Sequence, residues 1–283
     1  MEATQPRNEV LIKKASGNTE AFDVNKLKNS LRRSGAGEDI ISQIVSDIEA
    51  WVYDGVSTGK IYNRAYKLLR QMGSQNSHLY KLKMAINSMG PSGHPFEQFI
   101  GELFKLQGYE VQVAQVLEGA AITHEMDIIA TKDGMQILME CKFSQLQGHS
   151  VSIQVPLYVH SRVEDIVEKR QQDAKYQGLS FRAGVVTNGR FSPDSIHYSI
   201  YKGIKLLGWD YPRDNALRDL VERARLFPVT ILSSLTLEQK RALMREEIVT
   251  CAQLQKQTDI LEALGLSKSK QASVIRELET LLR

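Results

Sequence analysis

The 283-residue chain has 36 Lys and Arg residues against 33 Asp and Glu residues, a net charge of +3, and 42% hydrophobic residues. This length suits two or three small domains with ordinary cores, and the mild basicity permits nucleic-acid binding without requiring it. The sequence shows no signal peptide and no apolar run long enough to cross a bilayer, so we expect a soluble, cytoplasmic protein without a membrane partner. Its two cysteines lie far apart without metal-ligand spacing, as expected in a reducing cytosol.

The front of the chain predicts a short β-hairpin followed by helices. An apolar strand at 10–14 ends in two lysines, and the chain returns at 19–22 after a turn. Asp23 is a suitable N-cap for a first helix. A second helix is predicted from about Asp39 to Tyr53, and Thr58 is predicted to cap a third.

The pattern K-K…E-x-F-D-x-x-K followed by Y-D-G-x-x-T resembles the ATP-cone. This domain is the allosteric nucleotide sensor at the front of ribonucleotide reductase large subunits and of their transcriptional repressor. The resemblance implies an ATP-cone at 1–88 with ATP or dATP as effector, and lysines that bind its phosphates. The implied nucleotide contacts are Lys13, Lys14, Glu20, Asp23, Lys26, Thr58 and Tyr62. The chain has no G-x-x-x-x-G-K-[ST] loop, so the nucleotide is expected to be a signal and not a fuel.

A second pattern lies around Asp133-Gly134, which stands between two apolar-rich runs. Asp-Gly in this setting is the strongest short-range signal for a type I′ hairpin. A two-residue turn there brings Asp127 opposite Glu140, where like charges repel. A divalent cation is the natural candidate to offset that repulsion. Because side chains alternate along a strand, Lys142 points to the same face as Glu140.

An aspartate followed by Glu-x-Lys on the next strand resembles the PD-(D/E)XK nuclease superfamily, and more narrowly the Mrr-like restriction endonuclease domain. The resemblance implies a domain at 94–213 that hydrolyses DNA phosphodiester bonds. Its metal, Mg²⁺ or Mn²⁺, would be held by Asp127 and Glu140. Lys142 would either orient the attacking water or stabilise the transition state.

By the same resemblance, the helix that opens this domain supplies a third catalytic carboxylate, Glu97, with Glu102 as the alternative. Two apolar strands, at 183–186 and 204–209, are expected to complete a mixed sheet. A helix from Ser161 to Tyr176 is expected to cover one face of that sheet.

The tail at 214–283 has a helical pattern, and Thr236 is a suitable cap for one of its helices. The stretch 264–267, Leu-Gly-Leu-Ser, precedes a helix at 268–282 and loosely resembles a helix-hairpin-helix module, which contacts DNA phosphates. The second glycine of that module is missing. The lysines of the tail therefore form either a phosphate-binding surface or a solvated face, and a protein–protein interface is equally compatible with the pattern.

Together these patterns predict an α/β (α+β) multidomain protein: an ATP-cone of a β-hairpin and a helical bundle, a restriction-endonuclease-like mixed sheet flanked by helices, and a small helical domain. The predicted function is a nucleotide-regulated, Mg²⁺-dependent DNA endonuclease that forms homo-oligomers and acts in restriction or anti-phage defence. Three alternatives stay open. They are a DNA-binding regulator that is switched by ATP or dATP and does not cut, a repair nuclease for branched or damaged DNA, and an assembly protein.

Overall fold

The computed structural model of the chain describes residues 10–13, 18–33, 36–72, 77–145 and 149–283. The chain forms two compact units, Met1–Leu82 and Lys83–Arg283. The predicted nucleotide contact Lys14 lies outside the described residues. Within the described ranges, no helix is long and apolar enough to cross a membrane.

The first unit begins with an antiparallel hairpin in which Ile12 pairs with Glu20. Helices follow, and the last of them contains the boundary between the two units. The elements are β1 (Leu11–Lys13), β2 (Thr19–Ala21), α1 (Val24–Arg33), α2 (Glu38–Trp51), α3 (Thr58–Gln71) and α4 (Ser77–Asn87). The apolar stripes of α1, α2 and α3 form one core with Ile12 at its edge. The hairpin-then-helices order is the predicted one.

The helix caps of this unit agree with the sequence at one position and differ at another. Asp23 Oδ1 accepts the backbone N–H groups of Asn25 at 2.8 Å and Lys26 at 3.3 Å, which confirms it as a cap. The prediction for Thr58 was wrong, because Ser57 caps α3 and Thr58 is the first helical residue. Ser57 stays extended because it bridges to Lys13 of the hairpin, so the helix begins one residue later.

The second unit is built on a five-stranded sheet. Its strands, in their order across the sheet, are β3 (Glu110–Glu118), β4 (Thr123–Lys132), β5 (Met135–Lys142), β7 (Ser180–Thr187) and β9 (Lys205–Leu207). Strands β3, β4 and β5 are antiparallel neighbours, whereas β5, β7 and β9 are parallel, so the sheet is mixed, as predicted. The short strands β6 (Ser150–Val151) and β8 (Arg190–Phe191) form a separate parallel pair.

Helices cover both faces of this sheet. Helix α5 (His94–Leu106) packs on β3 and β4, whereas α6 (Gln154–Arg170) buries its apolar side against the other face and also contacts α7 (Pro193–Lys202). The predicted helix Ser161–Tyr176 was displaced from the observed one. Helix α6 begins at Gln154. Pro156 therefore lies in its first turn, where the missing N–H of proline is tolerated.

The tail is helical, as predicted, and belongs to the second compact unit. Its helices are α8 (Leu217–Ala224), α9 (Leu237–Arg245), α10 (Cys251–Lys256), α11 (Ile260–Ala263) and α12 (Lys268–Leu282). Thr236 caps α9, since its side chain accepts the N–H of Gln239. Gly265, at φ +72°, makes the turn between α11 and α12. The domain boundary at 213/214 stays a prediction.

Candidate active site

The hairpin of β4 and β5 has the predicted register. Lys132 pairs with Met135, and the ladder continues to Ile128 and Met139. Asp133 and Gly134 both have positive φ, as a type I′ turn requires. Extended by one position, this register would bring Asp127 opposite Glu140, just beyond the last observed pair, Ile128 with Met139.

The regular pairing of β4 with β5 stops at Ile128, one residue short of Asp127, where the strand is irregular. Asp127 Oδ2 accepts the backbone N–H of Cys141 at 2.6 Å. By the register of β3 with β4, Ala114 lies across from Asp127, and Ala114 has φ +52°, a left-handed conformation that is strained for alanine. Met126 shares a core with Ile129, so the strict alternation of side chains is broken at this point. Backbone distortion thus coincides with a candidate catalytic acid.

Asp127 is held in an environment that disfavours its charge. Burial, and next the charge of Glu140, raise its pKa to about 7, although the N–H of Cys141 and the ammonium of Lys142 act in the opposite direction. A substantial fraction of Asp127 is therefore protonated at neutral pH when no cation is bound.

Glu140 is 6% exposed, and three side chains donate to it. Its Oε1 accepts from Lys142 Nζ at 2.6 Å and from the Tyr158 hydroxyl at 2.9 Å. Its Oε2 accepts from Arg162 Nη1 at 3.3 Å. Tyr158 and Arg162 are four residues apart on α6 and so lie on one face of that helix. The buried charge of Glu140 is thus compensated from both its own strand and the helix above it.

Lys142 is a cation at neutral pH. Burial opposes its charge, but the hydrogen bonds to Glu140 and Tyr158 outweigh that effect, and the pKa of Lys142 lies above its usual value. In this arrangement Lys142 can stabilise negative charge but cannot accept a proton from water.

The third predicted acid, Glu97, lies on α5 within electrostatic reach of the other two. Burial raises the pKa of Glu97, His94 lowers it, and the charge of Glu140 contributes to raising it. Glu97 Oε2 lies 3.4 Å from His94 Nδ1. The alternative acid, Glu102, instead makes a 2.8 Å ion pair with Lys105.

A groove of about 920 Å³ runs beside this acid cluster. Tyr158 and Arg162 line it, together with Gln154, His124 and Tyr198. Sequence reasoning did not identify Tyr158 or Arg162 as site residues. The sequence did contain a signal for them, the i, i+4 spacing of polar groups in 154–165. This spacing was not recognised because the helix was predicted to begin at Ser161 and not at Gln154.

In the first unit, five of the predicted nucleotide contacts share one cavity. They are Glu20, Asp23, Lys26, Thr58 and Tyr62, around an apolar floor. Lys26 Nζ lies 3.2 Å from Glu20 Oε2. Lys13 does not line the cavity. The cavity measures about 70 Å³, less than the roughly 300 Å³ or more of typical ligand pockets, so a nucleotide requires the hairpin or helices to move.

Comparison with known protein families shows which families two parts of the chain resemble. Residues 89–210 match the Mrr catalytic family model, described as a restriction endonuclease. Residues 227–282 match the family described as AF1548-like, C-terminal. The central part of the chain is therefore similar to restriction endonuclease domains of the PD-(D/E)XK kind, and the tail is similar to the AF1548-like C-terminal domain.

The chain is also similar to three individual proteins. An uncharacterized protein of Archaeoglobus fulgidus is 29% identical over 184 residues, which cover 65% of this chain and 99% of that protein. The crystal structure of AF1548, a protein of unknown function, is 26% identical with a TM-score of 0.56, covering 67% of this chain and 98% of that one. The MspJI restriction endonuclease, solved with a 27-mer oligonucleotide, is 17% identical with a TM-score of 0.34, covering 62% of this chain and 37% of that one.

Proposed function

We propose that the protein is a metal-dependent DNA endonuclease whose active site consists of Asp127, Glu140 and Lys142, with Glu97 as a supporting acid. The observation that carries the proposal is that Asp127 accepts the backbone N–H of Cys141, the residue between Glu140 and Lys142, at 2.6 Å, while the ammonium of Lys142 lies 2.6 Å from Glu140. The restriction endonuclease domain at 89–210 supports a nuclease with DNA as its partner.

The residues fit a hard divalent cation. Asp127 and Glu140 offer oxygen ligands, which Mg²⁺ and Mn²⁺ prefer. Burial, and next the charge of Glu140, raise the pKa of Asp127, and a cation beside the two carboxylates would counteract both effects. Asp127 and Glu140 would hold the ion, and Glu97 would add negative charge nearby. When bound, such an ion lowers the pKa of a coordinated water and polarises the phosphate.

The remaining side chains position the acids and the substrate. Lys142 places a fixed positive charge where the phosphate gains negative charge, a form of electrostatic stabilisation. Tyr158 holds Glu140 in one orientation through its hydroxyl. Arg162 is 39% exposed and lines the groove, so its guanidinium is accessible to a DNA phosphate while it contacts Glu140.

We further propose that the first unit senses ATP or dATP and that nucleotide binding changes the oligomeric state of the nuclease. The convergence of Glu20, Asp23, Lys26, Thr58 and Tyr62 on one cavity supports this proposal. Lys26 is the cation of that set, which suits phosphate binding. A sensor of this kind would restrain an activity that is hazardous to the host's own DNA, consistent with a role in restriction or anti-phage defence.

Cleavage of plasmid and phage DNA in Mg²⁺, titrated with ATP and dATP, tests both parts. Glu140→Ala is expected to lower cleavage roughly a hundredfold or more while DNA binding persists. Glu164→Ala is the matched control, because Glu164 is an exposed acid on α6 paired with His160. Undiminished cleavage by the Glu140 variant would refute the site. Equal rates and equal masses with and without nucleotide would refute the sensor. Branched DNA as a parallel substrate separates a repair nuclease from a restriction enzyme.

Two observations favour a second candidate, a DNA-binding regulator that does not cut. Both oxygens of Glu140 already have donors, and among the described residues no three His, Cys, Asp or Glu side chains are grouped to hold a metal. This candidate predicts nucleotide-dependent DNA binding without cleavage. Calorimetric titration of Mn²⁺ into the protein distinguishes the two candidates. Only the nuclease requires that Mn²⁺ binds and that this binding depends on Asp127.

A further inference from the structure

Two cations lie together at the edge of the sheet, away from the candidate active site. Lys205 of the edge strand β9 is paired in register with Gly184 of β7, and Arg182 lies two residues before Gly184, on the same face. The Lys205 ammonium is half-buried and lies 5.8 Å from the ring centroid of Phe104. Burial, and then the neighbouring Arg182, lower the pKa of Lys205.

No carboxylate pairs with either cation within the described ranges of the chain. Arg182 has one hydrogen-bond acceptor, because its Nε donates to the carbonyl of Gly203 at 2.6 Å, at the C-terminal end of α7. Helix C-termini attract cations. This contact leaves the terminal guanidinium nitrogens without an acid, and Lys205 lacks even such an acceptor. Lys205 is half-buried and Arg182 is exposed, so solvent screens part of the repulsion between the two like charges, and an anion that joins them would relieve the rest.

Two neutral donors at the same place also lack acceptors. Ser199 is 1% exposed, and its Oγ has no hydrogen-bond partner in the described structure. The buried Nε2 of Gln107 is in the same situation. Buried polar groups are normally satisfied, so each unpaired donor is costly. Arg182, Ser199, Lys205 and Gln107 all line one cavity of about 530 Å³.

We propose that this cavity binds a phosphate group through the cations Arg182 and Lys205 and the neutral donors Ser199 and Gln107. Four donor groups match the three terminal oxygens of a phosphate monoester better than the two of a carboxylate. Ile200, Leu207 and Leu220 also line the cavity and can contact an organic group attached to the phosphate. The residues that line this cavity and those that line the groove beside Glu140 do not overlap.

The phosphate can belong to a small phosphomonoester or to the DNA backbone. Calorimetric titrations with inorganic phosphate, glycerol 3-phosphate and a DNA duplex without terminal phosphates, at chloride-matched ionic strength, distinguish the sources. Lys205→Met is expected to weaken phosphate binding roughly ten- to hundredfold. Lys202→Met, a change of an exposed lysine on α7 outside the cavity, is expected to leave binding unchanged. If the duplex alone binds in a Lys205-dependent way, the phosphate is that of the DNA backbone.

Thermal unfolding provides a second measurement of binding, one that does not depend on the heat that binding releases. Phosphate is expected to raise the Tm of the wild type and of Lys202→Met, and not that of Lys205→Met. In phosphate-free buffer, Lys205→Met is expected to be at least as stable as the wild type, because it removes a like charge from Arg182. Ser199→Ala keeps both charges and is expected to weaken phosphate binding severalfold. The proposal is overturned if none of the three probes binds, or if Lys205→Met binds them as the wild type does.

Discussion

The hydroxyl of Tyr158 donates to Glu140 Oε1, the same oxygen that accepts from the ammonium of Lys142. A helix that crosses the sheet thus fixes the orientation of an acid on its central strand. The candidate site consists of the acid and lysine of one hairpin together with the helix face that holds Glu140 in place.

Tyr158→Phe is expected to reduce DNA cleavage about tenfold, because Glu140 loses one of its donors and gains freedom to rotate. The loss of one hydrogen bond lowers the free energy of unfolding by only about 1 kcal/mol. Single-turnover cleavage rates and thermal unfolding measure the two effects. Tyr201→Phe is the control, since Tyr201 is 85% exposed on α7. A Tyr158 variant that cuts at the wild-type rate would show that Glu140 needs no such support.

Arg162→Met is expected to have opposite effects on metal and DNA. Arg162 occupies Glu140 Oε2, an oxygen that a divalent cation would use, so its removal is expected to tighten Mn²⁺ binding severalfold. The lost groove cation is expected to weaken DNA binding in Ca²⁺ and to reduce its dependence on salt. Calorimetry measures the first effect and fluorescence anisotropy the second. Arg190→Met serves as the control, because Arg190 pairs with Asp210. Weaker Mn²⁺ binding by Arg162→Met would contradict this role.

Asp127→Asn is expected to stabilise the protein increasingly as the pH rises. The pKa of Asp127 is about 7 in the folded protein against an ordinary value of 3.8. Between these values the unfolded chain has lost the proton that the folded protein retains, so the free energy of unfolding falls as the pH rises, and it levels off above 7. Asparagine does not ionise and escapes this loss.

The measurement for Asp127→Asn is the Tm difference from wild type between about pH 4 and pH 7, in a chelator. Asp173→Asn is the control, because Asp173 is an exposed turn cap and asparagine caps equally well. A Tm difference that stays constant over this range would mean that Asp127 titrates normally.

Gly119→Ala is expected to lower the free energy of unfolding by about 1–3 kcal/mol, as overpacking does. A Cβ there would meet the carboxylate of Asp165 and lie 2.6 Å from the carbonyl oxygen of Ile122. Asp165 holds this turn by accepting the N–H of Ala121 at 2.8 Å and by contacting His124 at 2.6 Å. Chemical denaturation measures the change. Gly59→Ala, in the first turn of α3, where the nearest atom lies 4.0 Å from the added Cβ, is expected not to lower the free energy of unfolding.

Lys26→Met is expected to weaken ATP and dATP binding by roughly tenfold or more, because a phosphate loses its charged partner in the cavity of the first unit. Lys28→Met is the matched control, on the same helix but outside the cavity. Equilibrium binding of a fluorescent ATP analogue provides the measurement. Equal affinities for the two variants would argue against a nucleotide at this cavity.

The sequence alone was sufficient where the determinants are local. The Asp133-Gly134 turn set the register of the β4–β5 hairpin as far as Ile128 and Met139, and Asp23 identified the start of α1. Each of these depends on residues close in sequence, so backbone geometry is decisive.

The sequence was insufficient where residues distant in the chain meet. Nothing local indicates that Tyr158 and Arg162 reach Glu140, because this depends on how α6 packs across the sheet. The same limit applies to the cap of α3, where a bridge from Ser57 to the hairpin decided between two adjacent residues that can both act as caps. In both cases the outcome depends on tertiary contacts and not on the residues nearby in sequence.

The two-residue turn of the β4–β5 hairpin has a consequence for the order of events during folding. Contacts between residues near in sequence close faster than those that require a long crossover. Asp127 and Glu140 are therefore expected to meet before α6 delivers Tyr158 and Arg162. The early hairpin carries two carboxylates with only Lys142 to offset them, and their repulsion opposes its formation. We expect the refolding rate of this domain to increase with ionic strength, because screening reduces that repulsion before the helix is in place.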